Sequence, residues 1–195
     1  MSTVLQIYEA IDRLAPFFLS MDFDNTGILV GDRQKKVERA LLALDCTKEV
    51  LRQAKELGAQ LIITHHPIIF HPIKRVNEDS LVYHLLRSDI AVISAHTNLD
   101  IAQGGVNDLL AKRIGLSDCR GLQPMDAQGT FFLGRVGSLP EGMEPQQFAQ
   151  YLKQRLGAPS VKFAAADRTV KTVALFGGCH PCGRRCAADL GGQAA

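Results

Sequence analysis

The chain has 195 residues, 46% of them hydrophobic and 22% charged, with a formal net charge of +2. That length serves one domain with a good core or two small ones, and the lack of a basic run speaks against a dedicated nucleic-acid binder. No stretch approaches the ~18 uninterrupted apolar residues of a membrane span, and no charged n-region with an apolar core opens the chain, so a cytoplasmic globular protein is expected.

Thr3-Val4-Leu5-Gln6 matches a capping box. Val4, Ile7, Tyr8, Ile11 and Leu14 follow at helical spacing, and the helix should stop near Ala15-Pro16. Phe17-Phe18 reads as core rather than as a base-stacking platform. Asp24-Asn25-Thr26-Gly27 reads as a turn and residues 28–30 as a short strand. Residues 40–44 form a continuous apolar run ending at Asp45, the pattern of a strand covered on both faces. Thr47 then caps a helix through Leu57, closed by Gly58. A second apolar run, 61–64, ends at His65-His66. A helix follows near 81–87, then a third run, 90–94, leading into Ala95-His96. Gly104-Gly105 read as backbone punctuation before a helix over 106–114, since no phosphate-loop pattern follows.

The alternation of strand and helix predicts parallel strands joined by right-handed crossovers. Asp45, His65-His66 and His96 through Asp100 then share the carboxyl edge of one sheet, where open α/β sheets bind ligands. A second unit begins near Gly129, with a strand over 131–136, a helix over 145–156 that starts on Pro145 and ends at Gly157, and strands over 161–163 and 172–176. The expected division is a metal-ligand α/β domain over 1–126, a partial second α/β domain over 127–178, and an aberrant or disordered tail over 179–195.

Three of the six histidines lie in two of these strand ends. Zinc, manganese and iron accept imidazole nitrogen and carboxylate oxygen. Consecutive side chains on extended backbone point to opposite sides, so His65 and His66 suit two ions better than one, with Asp100 binding one or bridging both. Paired ions are a device for hydrolysis and phosphoryl chemistry. The plainer reading, in which the histidines only hydrogen-bond a loop before Pro67, is weakened by His96 and Asp100 on the same edge. His96 reads as a ligand or, preferably, as a group that orients Asp100. Asp45 either faces the cleft or caps the following helix, with capping preferred. His71 and His84 read as surface or packing residues.

Cys46 and Cys119 are isolated and the count of five is odd, which suggests reduced thiols rather than a disulfide framework. Cys179, His180, Cys182 and Cys186 look like a zinc knuckle. No helix or strand pattern surrounds them, and a disordered tail is the preferred reading.

Taken together, Ile63-Thr64-His65-His66-Pro67-Ile68-Ile69-Phe70, Ala95-His96-Thr97-Asn98-Leu99-Asp100 and Gly105-Val106-Asn107-Asp108 resemble a known family. So do Asp24-Asn25-Thr26-Gly27-Ile28-Leu29-Val30-Gly31 and Val173-Ala174-Leu175-Phe176-Gly177-Gly178. The family is that of the Nif-three-like, dinuclear-metal-centre proteins, also called GTP cyclohydrolase 1 type 2 homologues, and the resemblance covers roughly residues 1–178. It implies two linked α/β domains, the second incomplete here, and a homo-oligomer, a ring-shaped hexamer with metal sites facing an internal cavity. By motif match His65, His66 and Asp100 take metal-ligand positions for two divalent ions, zinc, manganese or iron, with His96 and Asp45 around them. Family members add a histidine and a glutamate about one helical turn apart late in the chain. This sequence lacks such a pair after Gly178, where its Cys, Gly and Arg bias resembles truncated or out-of-frame coding, so impaired activity is expected. The implied function is a dinuclear metal-dependent hydrolase acting on a nucleotide or related small molecule. The alternative is a non-catalytic metal-binding hexameric scaffold or metal carrier that meets partner proteins.

Overall fold

The computed structural model describes residues 1–164 and 167–178. Its contacts divide the chain into two compact units at Leu99/Asp100, earlier than the boundary near 126 expected from the sequence. The expected tail and knuckle, residues 179–195, lie outside the described residues.

In the first unit, β1 (Ser2–Thr3) leads into α1 (Val4–Leu14). Thr3 caps α1 through the predicted box, with the Thr3 and Gln6 side chains each bonded to the other's backbone N–H. After a 3-10 turn over Phe17–Leu19 come β2 (Gly27–Val30), β3 (Lys36–Val37), β4 (Ala40–Ala43), α2 (Lys48–Glu56), β5 (Leu61–Thr64), α3 (Leu81–Arg87) and β6 (Ala91–Ser94). The main sheet runs β2-β6-β5-β4. β4, β5 and β6 are parallel, as the alternation predicts, and β2 joins antiparallel at one edge. β1 and β3 form a separate antiparallel pair.

The period of two along each strand sorts the apolar runs into two cores. Ile62 and Val92 pack with Leu51 and Ala54 of α2 and Leu85 of α3. Leu61, Ala91 and Ile93 pack with Val4, Ile7 and Ile11 of α1 on the other face. Helices on both faces explain why these strands are apolar throughout. Phe17 packs there, stacked on Tyr8 with ring centroids 4.4 Å apart. Phe18 is exposed, which corrects half of the core reading of that pair.

A short helix, α4 (Thr97–Ile101), follows β6 directly. The second unit then holds α5 (Val106–Ile114), β7 (Ser117–Pro124), β8 (Phe132–Met143), α6 (Pro145–Leu156) and β9 (Val170–Leu175). Its sheet, β7-β8-β9, is antiparallel throughout. Ile114, Leu139, Val170 and Val173 form its core, with Phe148 and Leu152 of α6 against them. α6 begins on Pro145 and ends at a left-handed Gly157, as read. The strand expected over 161–163 is not formed; those residues carry no regular secondary structure. Among the described residues no helix is long and apolar enough to cross a membrane.

Candidate metal centre

Register brings the strand ends level: Ala43 lies opposite Thr64, and Thr64 opposite Ser94. The next residues of the three strands therefore leave the sheet at one edge, carrying Asp45, His65-His66 and His96. Thr64 anchors the edge. Its hydroxyl donates to the His66 carbonyl at 2.9 Å, which leaves the Ser94 hydroxyl to donate to Thr64 Oγ1 across 2.8 Å. The Ala95 N–H donates to the Thr64 carbonyl at 2.9 Å, and the His66 N–H to the Leu44 carbonyl at 3.0 Å.

These bonds bend the chain at His65-His66, immediately past the strand. Alternation holds only along extended backbone, so the two rings do not point to opposite sides as expected. Their centroids are 5.1 Å apart, and His96 lies 5.1 Å from His65 and 5.7 Å from His66. Each of the three histidines offers a ring nitrogen within 4.8 Å of the others. Ligands on one tetrahedral zinc, each about 2.1 Å from it, would lie roughly 3.4 Å apart, so a small closure suffices for a shared ion.

Each ring has its Nδ1 against an acceptor. His65 Nδ1 donates to the Ala95 carbonyl at 3.0 Å, His66 Nδ1 to Asp45 Oδ1 at 2.7 Å, and His96 Nδ1 to Asp24 Oδ1 at 2.9 Å. In the neutral ring this partner fixes the proton on Nδ1 and makes Nε2 the metal-binding nitrogen. The donor set therefore fits zinc, manganese or iron.

The Asp45 bond corrects the capping preference. Asp45 holds His66, and the N-cap of α2 is Thr47, whose side chain accepts from the Val50 N–H. The preference for His96 as a group orienting Asp100 also shifts, because His96 stands among the ring nitrogens with Asp24 behind it. Asp100 lies on α4, one helical turn after His96, with its side chain buried.

Asp24 is the site residue that the sequence reading missed. Its side chain is fully buried. Besides His96 it accepts from the Thr97 N–H at 3.1 Å, the Thr97 hydroxyl at 2.5 Å and the Asn25 N–H at 2.8 Å. Burial alone would raise its pKa. The bonds from Thr97, His96 and Asn25 outweigh burial and hold the carboxyl below its usual range. Its motif, Asp24-Asn25-Thr26-Gly27, reads locally as a turn and gives no hint of a partner 72 residues away. Phe70 is exposed beside the cluster, its ring 6.4 Å from His96 and 6.4 Å from Phe23.

The GTP cyclohydrolase 1 type 2 homolog of Clostridium perfringens (strain 13 / Type A) is 37% identical over 181 residues, 88% of this chain and 68% of that protein. A protein of the same name from Halalkalibacterium halodurans is 41% identical over 135 residues, 67% of this chain but 36% of its own length. Among solved structures, the Bacillus cereus protein related to NIF3 superposes with a TM-score of 0.90 at 25% identity, over 97% of this chain and 80% of that one. Residues 2–181, which include both strand-end histidine motifs and the Asp24 turn, match the family described as Duf34/NIF3 (NGG1p interacting factor 3), and the chain belongs to that family.

Proposed function

We propose that this chain carries the divalent-metal site of a hydrolase acting on a nucleotide or related small molecule. The observation that supports it is the shared arrangement of the three imidazoles, each with Nδ1 engaged and a ring nitrogen within 4.8 Å of the others. Catalytic zinc sites use three protein ligands and keep a further position open, and His65, His66 and His96 meet that count. Asp100 is the proposed carboxylate ligand on the family's pattern, and the same pattern implies a second ion and a homo-oligomer, a hexamer. A bound divalent ion supplies Lewis acidity for attack on an electrophilic carbon or phosphorus. The chain's own groups do the rest. Asp24, Asp45 and the Ala95 carbonyl hold the rings in one tautomer.

Metal analysis after dialysis tests the ligand assignment. Wild type should retain zinc or manganese, and His65→Ala should lose it while keeping its far-UV spectrum. Equal metal content in the two proteins would overturn the assignment. A metal carrier or scaffold is the second reading, favoured by a cluster built of imidazoles, which bind metal without supplying a carboxylate base. Metal-dependent turnover of nucleotides by wild type, absent from His65→Ala, separates the two readings.

A further inference from the structure

Next to the histidines, within the first unit, a cleft of about 410 Å³ opens at the Asp45–His66 pair. It runs between the loop after β4, the segment after His66 and the start of α3. Its volume falls within the roughly 300–1,000 Å³ range of small-molecule sites. We propose that this cleft binds the uncharged, non-reacting part of the substrate, a flat ring or branched apolar group, and not its phosphate. This rests on the metal-dependent hydrolase reading, with the reacting end of the substrate at the imidazoles.

The lining carries the argument. Ile68, Leu81 and Val82 form its apolar side, and among the described residues no lysine or arginine lines it. Asp45, the one carboxylate there among the described residues, is held by His66 and would repel an anion. Polar contacts come from Cys46 and Ser80, both able to meet the edge of a neutral ring. Ser80 precedes the first residue of α3, yet its side chain makes no capping bond. A hydroxyl at that position normally caps the helix, so this one is left to face the cleft. A phosphate site would instead need cationic side chains, which are the usual partners of that group.

The test uses phenol and indole as neutral ring probes and inorganic phosphate as the anion, each titrated into the isotope-labelled chain with and without zinc. Both ring probes should shift the amides of Cys46, Ile68 and Val82 saturably, and phosphate should leave them unmoved. Val82→Trp, which fills the cleft, should weaken ring binding at least tenfold and leave zinc content unchanged. Ser80→Leu, at the half-exposed rim, serves as the second variant, with amide dispersion reporting the fold. Phosphate shifting these amides in place of the ring probes, or ring binding unchanged in both variants, would overturn the cleft. Ring binding by a wild-type chain that takes up no zinc when zinc is supplied would instead remove the metal reading and leave the cleft.

Discussion

His96 differs from His66 in what holds it. Asp45 is about half exposed, whereas the Asp24 side chain is fully buried and accepts four hydrogen bonds. An exposed partner competes with water and is worth little, while a buried one fixes both ring orientation and tautomer. Asp24→Asn is therefore expected to weaken zinc binding by about 10–100-fold, and Asp45→Asn by clearly less. Competition with a chromophoric chelator measures both, and equal effects would show that Asp24 is a fold residue only. An Asn at 24 also cannot accept all four bonds, so its thermal midpoint should fall, by an amount corresponding to about 1–3 kcal/mol. At this scale the histidines were legible, because an apolar run that ends in His-His announces itself locally. Asp24 was not, because its role exists only when the strand after it lies beside β6.

Helices were easier to read than strands, for a physical reason. The box at Thr3, the Thr47 cap, Pro145 and Gly157 are local devices, each satisfying backbone groups within a few residues. Strands are made by partners. β7 carries Gly121 and Pro124 with no apolar alternation, and it forms because β8 supplies the ladder. Residues 161–163 alternate correctly but find no partner strand. The same dependence governs the antiparallel edge strand β2, which stops at Gly31. There φ is +97° and an added Cβ would lie 2.7 Å from the Ala91 Cα. Gly31→Ala should cost about 2–4 kcal/mol, combining backbone strain with overpacking against backbone. Gly104, with φ +72° and nothing within 4 Å, isolates the strain, and Gly104→Ala should cost about 1 kcal/mol. Urea unfolding of the two variants checks this. Similar losses would mean that β6 yields to the new methyl group.

At the scale of the whole molecule the charges are balanced to +2 at pH 7, and a few placed carboxylates add a specific part to its acid response. Asp108 of α5 is one in the second unit. It accepts from the Gly104 N–H at 2.6 Å and from both Arg135 Nε and Nη2, with Arg135 on β8. Arg135 is nearly buried and also donates to the Phe132 and Gly134 carbonyls at 2.9 Å. Burial would raise the Asp108 pKa, but the bonds from Arg135 and Gly104 and the Arg135 charge hold it below its ordinary value. A carboxyl whose folded pKa is depressed adds stability that is present above its unfolded pKa, near 4, and lost as pH falls through the folded value. Asp108→Asn should thus destabilise at pH 7 by up to about 3 kcal/mol, since it leaves the buried guanidinium without its counter-charge. Arg135→Met, which removes the buried charge itself, should cost less. Below about pH 4 the unfolded chain takes up this proton first, and folded wild type loses the carboxylate only as pH falls through its lower folded value, so its advantage over Asp108→Asn should shrink. Other carboxylates titrate equally in both proteins and cancel in this difference. Urea unfolding of wild type and Asp108→Asn at pH 7 and pH 3 measures it, and a gap that does not change with pH would show that the pair acts through packing rather than charge.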